Sequence, residues 1–283
     1  MISDLKTRLM QHLQEIVRER DPYLATGGHF YVQQYVRSQL ARYGKVVSHE
    51  FHSLGQTHTN LVLELPARSQ NTQRSPIVIG AHYDAVPGSP GADDNASGVA
   101  VLLELARLFQ AEPLRYPLQL IAFDLEEHGL IGSQAYAAHL SQQHQKIRLM
   151  ISLEMLGYRT EECNSQRYPH PLQYFYPDRG NYIGLIGNLP TLWDLIVLKR
   201  AIKNTGIAAE WLPAGWRGLI VPDARKSDHA PFWDRGDRAM MVTDTAHMRN
   251  PHYHQPSDRI ETLDLDFMAG ICLGLAEGLR RIS

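Results

Sequence analysis

The sequence predicts an α/β fold with a mainly parallel sheet, and two kinds of pattern carry this prediction. Continuous apolar runs at residues 76–80, 117–123 and 147–153 are typical of strands that are buried on both faces. Between them, residues 95–109 and 130–140 carry apolar side chains at helical spacing. Strands that alternate with helices along a chain indicate a sheet that is covered by helices.

The other elements extend this alternation towards both ends of the chain. Further helices are predicted at residues 1–20, 28–43, 191–204 and 263–281. Further strands are predicted at residues 46–51, 60–65, 183–186 and 238–242. Residues 67–74 are polar and predict a loop, and two aromatic-rich stretches, 158–182 and 211–223, are predicted to be irregular.

The composition is that of an ordinary globular protein, with 43% hydrophobic and 20% charged residues. A length of 283 residues is near the upper size for one hydrophobic core, so we expect a single domain over residues 1–283. The formal net charge of -2 gives no electrostatic reason to expect nucleic acid or an anionic membrane as a partner. The sequence gives no indication of the oligomeric state.

No apolar run approaches the length of a transmembrane helix, and the N-terminus lacks the layout of a signal peptide. The sequence therefore predicts a cytoplasmic protein, although a mature fragment of a secreted protein would show the same features. Cys163 and Cys272 are far apart in sequence, and neither belongs to a metal-binding or redox motif. We expect neither cysteine to take part in the chemistry.

Histidine and carboxylate side chains follow several predicted strands at the point where each strand ends. His82, Glu126, Glu127 and Glu154 occupy such positions. Ligands of open α/β sheets bind just beyond the carboxyl ends of the strands, so we expect these side chains at one edge of the sheet. Imidazole nitrogen and carboxylate oxygen are zinc ligands, and a catalytic zinc site keeps one position for water. The sequence therefore predicts a catalytic divalent metal site.

Four motifs follow one another along the chain. They are His82-x-Asp84, Gly91-Ala-Asp-Asp94-Asn95-Ala-Ser-Gly98, Glu126-Glu127-x-Gly129-Leu-x-Gly132-Ser133 and Tyr253-His254-x-Pro-x-Asp258. In this order they resemble the M28 family of co-catalytic zinc aminopeptidases, over nearly the whole chain from about residue 55 onward. The resemblance implies a three-layer α/β/α sandwich around a mixed, mainly parallel sheet. It also implies an enzyme that removes N-terminal residues from peptide substrates with a free N-terminus.

The resemblance implies two zinc ions per chain, which share the carboxylate of Asp94. His82 and Glu154 would complete the ligands of one ion, and Glu127 and His254 those of the other. The family usually has aspartate at the position of Glu154, whose additional methylene group would alter how that ion is held. The resemblance further implies a cis peptide bond after Asp94.

Three further residues receive roles from the resemblance. Asp84 would lie behind His82 and fix its orientation and tautomer. Glu126 would act as the general base, which takes a proton from water and passes it to the leaving amine. Tyr253 aligns with a tyrosine that hydrogen-bonds the developing oxyanion in some members. These types suit the chemistry, because a zinc ion lowers the pKa of water to about 7 and so makes it a nucleophile at neutral pH.

Simpler explanations exist for some of these residues. Asp93 or Asp94 could cap the helix that follows them, which is a common role for aspartate. His252 is the alternative to His254 as the last ligand. Asp228 belongs either to the surroundings of the site or to a helix cap.

Two rival functions are compatible with the same residues. Glutaminyl cyclases share the implied fold and much of the ligand set but use one zinc ion for an intramolecular cyclisation. They tend to have tryptophan before the last histidine ligand, where this chain has Tyr253, which favours hydrolysis. A non-catalytic homologue that serves as a binding module would typically lose ligands or the base, whereas this chain retains each type.

Aromatic residues in the two irregular stretches are predicted to line an apolar pocket for the first side chain of the substrate. Loops beyond strand ends are where such sheets vary in specificity. The candidates are Tyr168, Tyr174, Phe175, Tyr176, Trp211 and Trp216.

Overall fold

The computed structural model describes residues 2–69 and 74–282. Within these residues the chain forms eight strands, β1 to β8, at Val46–Ser53, Gln56–Leu65, Ile77–His82, Leu118–Phe123, Leu149–Glu154, Tyr182–Gly187, Ala208–Pro213 and Ala239–Thr243. It also forms seven α-helices, α1 to α7, at Ile2–Ile16, Thr26–Ala41, Gly98–Ala111, Ile131–Gln142, Leu192–Lys203, Ala230–Asp234 and Leu265–Ile282. Residue 1 of the first predicted helix and residues 70–73 of the predicted loop at 67–74 lie outside the described residues.

The strands form one sheet in the order β1-β2-β4-β3-β5-β8-β6-β7. The pairs β4-β3, β3-β5, β5-β8 and β6-β7 are parallel, whereas β1-β2, β2-β4 and β6-β8 are antiparallel. Helices cover both faces of this sheet. The predicted fold class, an α/β/α sandwich around a mixed, mainly parallel sheet, is confirmed.

Side chains that alternate along the central strands fill two cores, one on each face of the sheet. Ile77 and Ile79 of β3 belong to a large core with α1, α2, α3, α5 and α7, whereas Val78 belongs to a smaller core with α4 and α6. In β4, Leu120 faces the large core and Ile121 the smaller one. Burial on both faces explains why these strands are continuous apolar runs in the sequence.

The structure differs from the predicted elements at β7 and at the end of α1. Part of the stretch predicted to be irregular, 211–223, belongs to β7, an edge strand whose residues are mostly half-exposed. A strand of this kind has no continuous apolar run, so the sequence does not predict it. α1 ends at Ile16 rather than near residue 20. None of the helices in residues 2–69 and 74–282 combines the length and the apolarity needed to span a bilayer.

Candidate metal centre

The carboxyl ends of neighbouring strands bring four of the predicted residues to one edge of the sheet. His82 is the last residue of β3, and Glu154 is the last residue of β5. Glu126 and Glu127 follow the end of β4 at Phe123. Because β3 is parallel to both β4 and β5, these three strand ends lie side by side.

Two further predicted ligands come from connections between elements. Asp94 lies in a turn before α3, where its φ of -104° and ψ of 89° interrupt the helical path. The peptide bond between Asp94 and Asn95 is cis, as the resemblance implies. His254 lies in the connection between β8 and α7 with a φ of 58°. The turn and the connection meet at this edge of the sheet, because Asp94 contacts both His82 and His254.

The carboxylate of Asp94 is shared by two clusters of potential ligand atoms. Its Oδ1 lies 3.3 Å from His82 Nε2, and that nitrogen lies 3.5 Å from Glu154 Oε1. Its Oδ2 lies 3.1 Å from His254 Nε2, and that nitrogen lies 3.2 Å from Glu127 Oε2. Two ligands of a tetrahedral zinc ion, each about 2.0–2.1 Å from the metal, are about 3.3 Å apart. The separations between these side chains therefore match two tetrahedral sites that have Asp94 in common.

Several buried polar atoms of these clusters have no hydrogen-bond partner in the described part of the chain. They are both ring nitrogens of His82, Oε1 of Glu127 and Nε2 of His254. Buried polar atoms without a partner are costly and therefore rare in proteins. Imidazole nitrogens and carboxylate oxygens that converge in this way form a suitable donor set for zinc.

The acidic side chains make this edge strongly negative. Burial raises the pKa of Glu127 to about 7, and the charge of Asp94 adds to the effect. Burial also raises the pKa of Glu126 well above its ordinary value; a charge on His82 lowers this pKa, whereas the charges of Glu154 and Glu127 raise it. Carboxylates in such surroundings are costly to ionise unless a cation lies among them.

Asp84 contacts two residues of the clusters, His82 and Glu127, and also the neighbouring Glu126. Its Oδ1 accepts the backbone N–H of Glu126 at 3.2 Å, and its Oδ2 accepts that of Glu127 at 3.1 Å. The same Oδ1 lies 3.4 Å from His82 Nδ1. A carboxylate behind a metal-binding histidine fixes the orientation and the tautomer of the ring.

Glu126 and Tyr253 flank the pair of clusters. Glu126 Oε2 lies 3.9 Å from His82 Nε2, which is farther than Asp94 or Glu154 lies from that nitrogen. A third possible ligand group joins His82, Glu126 and Glu127. The ring of Tyr253 stacks on that of His254 with the centroids 3.7 Å apart. Burial and the neighbouring carboxylates raise the pKa of the Tyr253 hydroxyl, so it stays protonated.

The alternative ligands His252 and Asp93 have other partners. His252 Nδ1 contacts Ser257 Oγ at 2.9 Å. Asp93 Oδ1 accepts the backbone N–H of Gly157 at 2.8 Å, and its Oδ2 accepts the side-chain amide of Asn250 at 2.7 Å. Both oxygens of Asp93 are thus engaged away from the two clusters.

Ser227 contacts the candidate ligand Glu154, a contact that the sequence does not predict. Its hydroxyl donates a 2.6 Å hydrogen bond to Glu154 Oε2 and lies 2.8 Å from the hydroxyl of Ser152. The next residue, Asp228, is fully buried, and burial raises its pKa to about 7. α6 begins without a side-chain capping hydrogen bond, so Asp228 does not cap that helix.

An apolar pocket opens beside the metal centre and includes Glu154 and Tyr253 among its lining residues. Half of the aromatic residues that the sequence suggests for this pocket line it, namely Tyr168, Tyr176 and Trp211. The other half are exposed side chains outside it, namely Tyr174, Phe175 and Trp216.

The polar groups of the pocket wall are bonded within the protein. The hydroxyl of Tyr168 donates to the carbonyl of Pro177 at 2.6 Å, and that of Tyr176 donates to the carbonyl of Trp211 at 2.8 Å. The carboxylate of Glu210, which also lines the pocket, accepts a 2.7 Å hydrogen bond from Lys199 Nζ. The wall therefore presents mainly apolar side chains, both aromatic and aliphatic, to an occupant.

Comparison with known proteins places this geometry in context. The sequence model of peptidase family M28 matches residues 60–188. The uncharacterized protein YfbL of Escherichia coli is 36% identical over 213 residues, which are 70% of this chain and 64% of YfbL. Aminopeptidase YwaD of Bacillus subtilis is 34% identical over 189 residues, which are 65% of this chain and 36% of YwaD. This chain thus spans less than two thirds of the length of either relative.

Solved structures with the same fold include aminopeptidases and a cyclase. LapA aminopeptidase of Legionella pneumophila has a TM-score of 0.75 at 20% identity, over 99% of this chain and 72% of that one. BSAP, a zinc aminopeptidase from Bacillus subtilis, has a TM-score of 0.60 at 26% identity, over 79% of this chain and 50% of that one. The glutaminyl cyclase of Macrostomum lignano has a TM-score of 0.70 at 18% identity, over 99% of this chain and 90% of that one. The fold alone therefore does not separate the two activities.

Proposed function

We propose that this chain is a zinc-dependent aminopeptidase of peptidase family M28, whose sequence model matches residues 60–188. It would hydrolyse the N-terminal peptide bond of peptides with a free N-terminus. The observation that carries the proposal is the position of Asp94, whose two oxygens face two different clusters of ligand atoms. A pair of zinc ions that share one carboxylate suits this arrangement.

Each cluster supplies one histidine and one glutamate besides Asp94. His82 and Glu154 would hold one ion, and His254 and Glu127 would hold the other. When bound, the two ions supply Lewis acidity, which lowers the pKa of a water molecule to about 7 and polarises the scissile carbonyl.

Glu126 is the general base of the proposed reaction. It takes the proton from the attacking water and passes it to the leaving amine. Burial raises the pKa of Glu126 above its ordinary value, which makes it a stronger base than an exposed carboxylate. Asp84 supports Glu126 by accepting its backbone N–H. The hydroxyl of Tyr253 donates a hydrogen bond to the oxyanion that develops on the carbonyl.

The pocket and the charge of the site support an N-terminal residue as the substrate group. A protonated α-amine is attracted to the cluster of carboxylates at the strand ends. The aromatic wall formed by Tyr168, Tyr176 and Trp211 suits a large apolar first side chain. We therefore propose leucine-like and aromatic N-terminal residues as the preferred substrates.

Two observations favour hydrolysis over the rivals. A glutaminyl cyclase needs one zinc ion, whereas this chain retains the residues of both clusters. A non-catalytic homologue has no use for a base, whereas Glu126 lies beside the clusters within reach of their ligand atoms.

Substitution of the base tests the proposal. Glu126→Gln is expected to lower turnover of leucine p-nitroanilide about 10²- to 10⁴-fold, because proton transfer from the water is lost. Its zinc content, measured by atomic emission, is expected to stay at two ions per chain. The matched control is Glu127→Gln, which is expected to lose zinc as well as activity. Unchanged turnover by Glu126→Gln would remove this residue from the mechanism.

A peptide with N-terminal glutamine separates the proposed activity from its rivals. Hydrolysis releases free glutamine, cyclisation releases ammonia and leaves the peptide length unchanged, and a binding module gives neither product. Mass spectrometry distinguishes the three outcomes in one reaction. Ammonia as the main product would overturn the aminopeptidase proposal.

A further inference from the structure

The connection between α1 and α2 carries a buried arginine that reaches the metal centre from behind. The side chain of Arg20 is 0% exposed. Its guanidinium makes five hydrogen bonds, and the acceptor in each is a backbone carbonyl oxygen. A buried charged group is costly unless its donors are satisfied, so this arrangement needs a reason.

Four of the five acceptors belong to the two segments that carry proposed ligands. Arg20 Nε donates to the carbonyl of Tyr83 at 2.9 Å, directly after His82. The two Nη atoms donate to the turn before α3, at the carbonyls of Pro90 (2.6 Å), Gly91 (2.8 Å) and Asp94 (3.2 Å). One guanidinium therefore joins the backbone at His82 to the backbone at Asp94.

The turn is built closely around this guanidinium. Gly91 has a φ of 59°, in the left-handed region that favours glycine. A Cβ atom at Gly91 would lie 2.7 Å from Arg20 Nη2 and 2.9 Å from Nη1. The carbonyl oxygen of Asp94 would lie closer still to that Cβ atom, so only glycine leaves room for both the turn and the guanidinium.

Asp21 makes a second connection to the metal centre from the same segment. It is 1% exposed, and its Oδ1 accepts the backbone N–H groups of Tyr23 and Leu24 at 2.9 Å and 2.6 Å. Its Oδ2 lies 3.0 Å from Nε2 of His128, the residue after Glu127. Arg20 thus contacts the backbone next to His82 and at Asp94, and Asp21 contacts the residue next to Glu127.

We propose that Arg20 is a positioning residue for the metal centre and that Asp21 supports it from the neighbouring position. A guanidinium presents its donors in a rigid fork, so it fixes the relative placement of the carbonyls that it binds. Its positive charge also faces the carboxylates of Asp94, Asp258 and Asp84. The inference rests on the proposed zinc centre, but Arg20 itself lies outside the residues that match family M28.

Zinc affinity of Arg20 variants tests the inference. Arg20→Met removes all five donors and is expected to weaken zinc binding about 10- to 100-fold, the usual effect of losing a partner behind a metal ligand. Arg20→Lys keeps the charge but not the fork and is expected to fall between Arg20→Met and the wild type. Affinity is measured by competition with a chromogenic chelator, and circular dichroism monitors folding.

The matched control is Arg18→Met, two positions earlier. The Arg18 side chain lies over the ring of Tyr31 at 3.9 Å, and it is its backbone carbonyl that Arg20 contacts. Wild-type zinc affinity is expected for this variant. Wild-type affinity in Arg20→Met and Arg20→Lys would overturn the inference while leaving the proposed function intact. A wild-type chain that takes up no zinc would overturn the proposed metal centre and this inference with it.

A measurement on the wild-type protein keeps the inference testable if the variants do not fold. Zinc addition is expected to slow hydrogen–deuterium exchange in residues 18–24, although none of them is a proposed ligand. The exposed end of α7 serves as the internal reference. Unchanged exchange in residues 18–24, together with slower exchange around Asp94, would show that the segment is not coupled to the centre.

Discussion

Glu154 directs its two carboxylate oxygens to different partners. Oε1 faces His82 Nε2 at 3.5 Å, and Oε2 accepts the 2.6 Å hydrogen bond from Ser227. Ser152 contacts the same serine at 2.8 Å, so the longer side chain is held by a short chain of hydroxyls. We infer that Ser227 keeps Glu154 in the orientation that a shorter aspartate would reach without this support.

Removal of that hydroxyl is expected to affect one metal position only. Ser227→Ala should lower the affinity for the zinc ion that His82, Asp94 and Glu154 are proposed to hold by about tenfold or more. The ion held by His254 and Glu127 should keep its affinity. A two-step zinc titration by calorimetry measures both, with Ser141→Ala, on the part-exposed end of α4, as the control. An equal loss of zinc affinity in both steps, or no loss in either step, would contradict the role given to Ser227.

The sequence identifies chemically active side chains that follow predicted strands. It does not identify the residues, distant in sequence, that form hydrogen bonds to that region. His82, Glu126 and Glu154 are identifiable because each comes after an apolar run. Arg20 and Ser227 are not, because their partners Tyr83 and Glu154 lie 63 and 73 residues away. Contacts over such separations follow from the tertiary fold and leave no local pattern.

At the scale of elements, a buried carboxylate ties α1 to α3. The side chain of Glu104 is 1% exposed and accepts hydrogen bonds of 2.9 Å from the Nε atoms of Arg8 and Arg107. His12 Nε2 lies 3.5 Å from its other oxygen. Burial raises the pKa of Glu104, but the bonds from His12, Arg8 and Arg107 outweigh burial and lower it to about 2.

This pair of helices is expected to lose stability in acid. The folded pKa of Glu104 is about 2 and lies below the reference value of 4.5. Its ionised form therefore stabilises the fold above about pH 4.5, and the contribution is lost as the pH falls towards 2. A shift of this size corresponds to up to about 3 kcal/mol at pH 7. Glu104→Gln should lower the free energy of unfolding by up to that amount at pH 7.

Urea unfolding of the metal-free proteins at pH 7, 5 and 3 measures the effect. The difference in free energy of unfolding between the wild type and Glu104→Gln should decrease from pH 5 to pH 3. Glu277→Gln is the control, because Glu277 forms an exposed ion pair with Arg281 and should change stability by less than about 1 kcal/mol. A difference that stays constant with pH would show that Glu104 does not carry this stabilisation.

Elements buried on both faces are the predictable part of this fold. The runs that form β3, β4 and β5 have all residues buried, and hydrophobic side chains dominate them. β7 has the sequence AAEWLP and only one buried residue. Its backbone pairing with β6, rather than burial of its side chains, therefore places it in the sheet. The end of α1 at Ile16 is not predicted either, because the apolar spacing of the sequence continues to Val17.

At the scale of the whole molecule, the proposed chemistry and the proposed selectivity lie on different parts of the sheet. Three of the proposed ligands, His82, Glu127 and Glu154, lie at or just after the ends of β3, β4 and β5, whereas β6 and β7 contribute much of the pocket wall. One ion pair, Lys199 with Glu210, joins α5 to this wall at 2.7 Å. We infer that Lys199 neutralises Glu210, a carboxylate on the β7 side of the pocket that would otherwise attract a basic side chain.

Removal of the ion-pair partner of Glu210 is expected to change the preferred substrate. Lys199→Met should raise kcat/KM for N-terminal lysine relative to leucine by about tenfold, which corresponds to about 1.4 kcal/mol. The double variant Lys199→Met with Glu210→Gln should return to the preference for leucine. Aminoacyl p-nitroanilides of both residues measure the ratio. An unchanged ratio in Lys199→Met would show that Glu210 does not reach the first side chain.

The position of β6 and β7 at one end of the sheet bears on how the selectivity of this fold can evolve. Under the proposed function, substitutions there would alter which N-terminal residues fit and would leave His82, Glu127 and Glu154 at the inner strand ends unchanged. Selectivity could therefore change separately from the residues that are proposed to bind metal. Libraries for directed evolution are best confined to this flank.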